Sequence, residues 1–149
     1  MNNPFLLTGA GRLEHWKTFR KSVLAQPEDE RLAAVAHYWS LAPLLTIAYN
    51  CDAPATWPTI WEMVQAGDWC RNSVALGIDG TLRLIGFDPT RLTVGLMLDQ
   101  SKSVMAMVTS VDNATLLNYD WGLLTPYPSL TNPRWLRRYR WTGRGYSDI

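Results

Sequence analysis

The sequence predicts an α+β domain, in which N-terminal helices and a central helix pack on an antiparallel β-meander of three or more strands. Apolar residues recur at helical spacing through the first half of the 149-residue chain, and after residue 88 the period changes to alternation. A chain of this length suits one hydrophobic core. We therefore expect a single domain over residues 1–130 and an extended C-terminal arm over residues 131–149.

Helical periodicity is clear in two N-terminal segments. Leu13 to Ala25 combines an apolar stripe with a basic outer face, and a second helix is expected from Pro27 to about Trp39. Proline and the acidic residues that follow it suit a first helical turn. A shorter third helix is expected from Pro43 to about Tyr49.

Capping residues predict the central helices. Thr59 and Glu62 have the spacing of a capping box, for a helix that stops at Gly67. Asp68 is expected to cap a longer helix over Trp69 to Ile85. Two glycines inside this helix predict that another element approaches it closely. Its buried stripe is expected to be Val74, Ile78, Thr81, Leu82 and Ile85.

Alternating segments after Pro89 predict three antiparallel strands with tight turns between them. They cover Leu92 to Leu98, Val104 to Thr109 and Ala114 to Tyr119. Methionines make the second face of the first two strands nearly as apolar as the first. A sheet with helices on one face and a partner on the other would explain this pattern.

Composition excludes several classes of protein. Apolar residues make up 47% of the chain and charged residues 18%, which is a globular composition. No apolar stretch approaches the roughly 20 residues that span a membrane, and the N-terminus lacks a basic signal-peptide start, so we expect no export. Cys51 and Cys70 could form one disulfide, but two free thiols are the favoured interpretation. No spacing of metal ligands or phosphate-binding glycines is present, and no cofactor is predicted.

The predicted arm is basic and aromatic. Residues 1–133 carry 9 basic and 12 acidic side chains, whereas residues 134–149 carry 5 basic and 1 acidic. Arginine with tryptophan and tyrosine is typical of protein interfaces, and also of single-strand nucleic-acid binding. The mildly acidic body favours a protein partner, including the acidic body of a neighbouring copy. The predicted partner-binding residues are Arg134, Trp135, Arg137, Arg138, Tyr139, Arg140, Trp141, Arg144 and Tyr146.

A cysteine at a helix start, followed by a meander that ends near Asn118 and Asp120, resembles the transglutaminase-like branch of the papain-like cysteine peptidases. The resemblance covers about residues 57–122. It implies that Cys70 matches the nucleophile, that a residue within Ser103 to Met105 matches the histidine, and that Asp120 or Asn118 matches the third member. The chain departs from the family because it has no histidine after Cys70.

The same resemblance implies a function. Small transglutaminase-like domains without the full triad are similar to accessory structural proteins of tailed-phage virions. The resulting hypothesis is a non-enzymatic component of the neck, tail or baseplate, a pseudoenzyme made in the host cytoplasm, which binds other virion proteins and neither membrane nor nucleic acid. The alternative is a cysteine hydrolase or acyltransferase that uses Cys70 and Asp120 with His37 as a displaced base. His37 and His15 otherwise suit the helix surface.

Overall fold

The computed structural model describes residues 3–45 and 49–149, and it confirms the predicted α+β fold. In this part of the chain the helices are α1 (Gly9–Val23), α2 (Glu28–Ser40), α3 (Ile60–Ala66) and α4 (Arg71–Leu84). The strands are β1 (Leu92–Asp99), β2 (Val104–Val111), β3 (Thr115–Leu117), β4 (Leu124–Pro126), β5 (Pro133–Trp141) and β6 (Tyr146–Asp148). They form one antiparallel sheet in the order β4-β3-β2-β1-β5-β6.

The two N-terminal helices are confirmed, with shifted ends. Thr8 caps α1 because its side chain accepts a hydrogen bond from the backbone N–H of Gly11. The helix predicted from Pro43 to Tyr49 falls partly on residues 46–48, which lie outside the described residues. Its beginning is not helical, because Leu44 instead forms a parallel β-bridge with Trp69.

The predicted capping box of α3 is confirmed, and Gly67 ends the helix with φ of 75°. The predicted cap of α4 is wrong, since α4 begins after Cys70 and not after Asp68. The Cys70 thiol accepts from the backbone N–H of Ser73, and the Ser73 hydroxyl accepts from the backbone N–H of Cys70. This reciprocal pair has the geometry of a capping box, with sulfur in place of the usual oxygen.

Helix α4 forms the centre of the core, and its predicted buried stripe is confirmed. The missing side chain at Gly77 makes room for α2, because a Cβ there would lie 2.5 Å from the Trp39 ring. One turn later the Thr81 hydroxyl accepts from the indole N–H groups of Trp16 and Trp39, at 3.1 and 2.9 Å. One buried hydroxyl therefore joins α1, α2 and α4.

Residues of the chain itself pack on the second face of the sheet, where the sequence pattern predicts a cover. A separate core cluster on this face contains Met97, Ala106, Val108, Leu116 and Tyr119. Tyr127 and Leu130, which follow β4, and Trp135 of β5 pack against it. The apolar character of both faces therefore reflects two internal cores.

The predicted C-terminal arm is corrected by the structure. Residues 133–141 form β5, which lies between β1 and β6 and pairs with β1 from Val94 to Asp99. Tyr139 of β5 is 2% exposed and donates a hydrogen bond to the carbonyl of Cys51 at 2.6 Å. This segment is thus integral to the sheet. The arginines of this segment interrupt the apolar alternation that predicts a strand. They are tolerated in a strand because their aliphatic stems can cover apolar neighbours while their charge stays in water.

Candidate functional site

Cys70 opens α4 beneath the loop that contains Tyr49. The residue is 4% exposed, and its sulfur accepts hydrogen bonds from the backbone N–H groups of Ser73 and Tyr49, both at 3.4 Å. The described surroundings hold no base within hydrogen-bond distance of the thiol. The sequence prediction that places Cys70 at a helix start is thus confirmed, in a buried setting.

A second thiol lies close by. Cys51 is partly exposed, and its sulfur accepts from the side-chain amide of Asn72 at 3.0 Å. Burial, as the largest effect, raises the pKa of the Cys51 thiol. Both cysteines are free, as the sequence predicts. Neither sequence spacing nor composition indicates that Cys51 and Asn72 join this site, because the loop that carries Cys51 has no periodic pattern.

Asn118 occupies the other side of the start of α4. It is 3% exposed, and its amide nitrogen donates to the carbonyl oxygens of Arg71 at 2.8 Å and Met107 at 2.9 Å. Its backbone is left-handed, with φ of 71°, which asparagine tolerates better than most residues. Its Oδ1 has no hydrogen-bond partner in the described structure. Asn118 therefore ties β2 and β3 to the residue that follows Cys70.

Asp120, the other candidate for the third triad position, is exposed. Its carboxylate accepts from the Thr125 hydroxyl at 3.3 Å. Arg71, the first residue of α4, donates a hydrogen bond to the carbonyl of Tyr119 at 2.8 Å. Its guanidinium lies 5.0 Å from the Trp121 ring centre. Burial lowers the pKa of Arg71, and the charge of Asp120 opposes this shift. Of the two candidates for the third position, Asn118 is therefore the buried one and Asp120 the exposed one.

The segment that the resemblance matches to the histidine, Ser103 to Met105, lies at the start of β2. Thr109 donates to the carbonyl of Ala75 at 2.7 Å, so the face of β2 that carries Thr109 is turned towards α4. Alternation along the strand places Met107 and Met105 on the same face. Met105 is 61% exposed, and Ser103 is a turn residue with φ of 53°. Met105 is therefore the residue of this segment that lies on the face turned towards α4, and its side chain is a thioether.

Both histidines lie elsewhere. His15 of α1 and His37 of α2 line one mostly apolar surface cavity of about 330 Å³, together with Phe19 and Tyr38. The Nδ1 atom of His15 lies 3.2 Å from the Tyr38 hydroxyl. His37 is exposed, and neither ring is a hydrogen-bond partner of Cys70. The displaced base that the alternative hypothesis requires is thus not assembled around the thiol.

The predicted partner-binding residues divide into two groups. Tyr139 and Tyr146 make internal contacts: Tyr146 donates to Asp79 at 2.6 Å, and Asp79 also pairs with Arg83 at 3.0 Å. Burial raises the pKa of Asp79, and the charge of Arg83 and the hydrogen bond from Tyr146 oppose this shift. Burial also raises the pKa of Tyr146, and the charge of Asp79 adds to that shift. Trp135, Arg138, Arg140 and Trp141 are half-buried, whereas Arg134, Arg137 and Arg144 are exposed.

A groove lies between the end of the sheet and the residues before α3, and we call it the aromatic groove. It has a volume of about 440 Å³. Trp57 packs edge-on against Tyr146, with ring centres 5.3 Å apart, and Trp141 packs against Tyr146 at the same distance. Arg144 brings a positive charge to the wall. Rings and a cation in one concave surface are typical of binding hot spots.

Comparisons with known proteins support the fold. No protein-family model and no curated protein sequence matches the chain. Three solved structures of Legionella pneumophila LapG, a transglutaminase-like cysteine protease, are similar to it. The calcium-bound form has a TM-score of 0.73 and 13% identity and covers 100% of this chain and 81% of LapG. Another LapG structure has a TM-score of 0.72 and 15% identity and covers 95% of this chain and 80% of LapG. The EGTA-treated form has a TM-score of 0.71 and 15% identity and covers 94% of this chain and 82% of LapG.

These matches give the chain a transglutaminase-like fold, in agreement with the resemblance that its sequence indicates. In the described residues, no group of three or more His, Cys, Asp or Glu side chains is placed to hold a metal ion. In the same residues, no helix is long and apolar enough to cross a membrane.

Proposed function

We propose that this chain is a non-catalytic binding protein built on the transglutaminase-like fold. The observation that carries the proposal is the state of Cys70, whose thiol is buried and hydrogen-bonded by two backbone N–H groups. A nucleophilic thiol needs access to substrate and an adjacent base. We assign the three triad positions of the resemblance to Cys70, Met105 and Asn118, which carry a thiol, a thioether and an amide. Neither the thioether of Met105 nor the amide of Asn118 accepts a proton at neutral pH.

The finer proposal is a structural or assembly component of a tailed-phage virion, in the neck, tail or baseplate. In this proposal the protein is made in the host cytoplasm and is incorporated into the particle. Its partners are other virion proteins and further copies of itself. Trp61 is 48% exposed, and Trp57 and Trp141 line the aromatic groove, so these three indoles support a protein that buries aromatic surface against neighbours.

The aromatic groove, with Arg144 in its wall, and the exposed Arg134 at the opposite end of β5 are the surfaces that we assign to this binding. Arg134 and Arg144 are exposed and form no ion pair within the described residues. The strand between them is fixed by the sheet, so a partner meets these charges without ordering a flexible arm. Protein contact is favoured over nucleic acid, because the body around this basic segment carries more acidic than basic residues.

Isolation of the tagged full-length protein from its native source tests this proposal. Sedimentation and mass spectrometry are expected to recover the wild type in a large particle at fixed stoichiometry. Arg134→Glu with Arg144→Glu is expected to reduce incorporation by about tenfold, which corresponds to 1.4 kcal/mol of binding free energy. Lys102→Glu, an exposed charge reversal in the β1–β2 turn, serves as the matched control and is expected to incorporate normally. Recovery of the wild type as a free monomer would contradict the proposal.

A cysteine hydrolase or acyltransferase is the second candidate function. The fold likeness to LapG, a cysteine protease, favours it. It requires the loop at Tyr49 to expose Cys70, and it requires a base such as His37 to approach the thiol, with Asp120 as the orienting carboxylate. Cys70→Ser would then abolish hydrolysis of an amide or ester substrate without changing the free energy of unfolding.

A further inference from the structure

Three large apolar side chains are exposed at one place on the helical side of the molecule. Leu24 follows α1, Trp61 lies on α3 and Leu84 ends α4, with exposed fractions of 55%, 48% and 40%. All three line the same surface cavity, which has a volume of about 340 Å³. Single exposed apolar residues are ordinary, whereas several that share one cavity mark an interaction site.

Basic side chains from α1 line the same cavity. They are Lys17, Arg20 and Lys21, and none of them takes part in an ion pair within the described residues. Glu62, the acidic neighbour of Trp61, is engaged in the capping box of α3, where it accepts from the backbone N–H of Thr59. The positive charge around the cavity is therefore not balanced by an internal ion pair.

Arg20 links the charged and apolar parts of this surface. Its guanidinium lies 4.2 Å from the Trp16 ring centre and 5.1 Å from the Trp61 ring centre. Its Nε is buried and has no hydrogen-bond partner in the described structure. Stacking on two indoles fixes the guanidinium in place, so a bidentate bond to a carboxylate costs little further ordering.

We propose that this surface, the basic apolar patch, binds an acidic segment of a partner protein that inserts one large apolar side chain into the cavity. The carboxylates of the segment pair with Lys17, Arg20 and Lys21, and the apolar side chain packs on Leu24, Trp61 and Leu84. A concave cavity favours a protein segment over a membrane, since amphipathic helices bind lipid through a protruding apolar face. The patch is separate from the aromatic groove, and the inference holds whether Cys70 is structural or reactive.

A differential selection from a library of short random peptides tests this inference. The full-length wild type and a Lys17→Glu/Lys21→Glu variant are used as parallel baits, and both exposed substitutions leave the core unchanged. We expect wild-type-specific peptides that contain several carboxylates around one Leu, Ile, Phe or Trp. Their affinity is expected to fall about tenfold with Leu24→Asp and to stay unchanged with Lys102→Glu.

Four outcomes would overturn the inference. One is the absence of an acidic apolar consensus among the wild-type-specific peptides. Another is unchanged affinity when the apolar residue of a selected peptide is replaced by serine, because charge alone would then explain binding. A third is patch-dependent binding to vesicles that contain phosphatidylserine, without peptide binding. The last is self-association that the Lys17→Glu/Lys21→Glu variant loses, which would assign the patch to a second copy of this chain.

Discussion

Deletion of residues 133–149 is expected to abolish cooperative folding. The deletion removes β5 and β6 and leaves the long β1 strand as an unpaired edge. It also removes Tyr139 from the main body of the fold and Trp135 from the second core cluster. Loss of a strand next to the central strand costs more than a domain of this size can supply.

Urea unfolding, followed by tryptophan fluorescence and near-ultraviolet circular dichroism, measures this effect. The truncated chain is expected to show no cooperative transition and to aggregate at the exposed edge. Deletion of residues 147–149 is the control, because it removes only the exposed end of the edge strand β6 and keeps β5 and the hydrogen bond from Tyr146 to Asp79. A truncated chain that unfolds cooperatively, with native near-ultraviolet signals, would show that residues 133–149 form a separate arm after all.

Thr81→Val is expected to lower the free energy of unfolding by about 3 kcal/mol. The substitution keeps the volume of the side chain but removes the hydroxyl that accepts from Trp16 and Trp39. Each buried indole N–H that loses its partner costs about 1–3 kcal/mol. Thr81 is fully buried, so water does not replace the hydroxyl without repacking of the core.

Thr81→Ser supplies the matched control for this effect. Serine keeps the hydroxyl and loses one methyl group, which costs about 1 kcal/mol in a core. Chemical denaturation of the two variants beside the wild type separates hydrogen bonding from packing. Equal stability of the serine and valine variants would contradict a structural role for the shared hydroxyl.

The sequence predicts the helices and the first hairpin well, because their stability depends on local periodicity and caps. It misses β5 because arginine at five positions of the last sixteen residues resembles a solvated tail. The pairing of β5 with β1 is a long-range contact, which no local pattern reveals. Likewise, the apolar second face of the sheet predicts a cover, but only the structure shows that residues after β4 supply it.

Within the candidate site, the position of Cys70 at a helix start is the feature that the sequence predicts and the structure contains. Cys70 at a helix start follows from the local pattern, but Asp68 is the stronger capping residue type and obscures the true boundary. The sequence leaves Asn118 and Asp120 as alternatives, because strand alternation does not reveal the left-handed backbone at Asn118 or the burial of its side chain. The sequence around Tyr49 and Cys51 has no periodicity, so it does not predict that these two residues lie beside Cys70 and Asn72.

The central claim is that Cys70 is a structural cap and not a nucleophile. The most direct measurement is the rate of Cys70 alkylation by iodoacetamide at neutral pH in a Cys51→Ser background, which keeps an acceptor for Asn72. We expect the folded protein to react at least about tenfold more slowly than the urea-unfolded chain, because the thiol is reached only when the structure opens. A folded rate that equals or exceeds the unfolded rate would contradict the claim and favour the cysteine hydrolase.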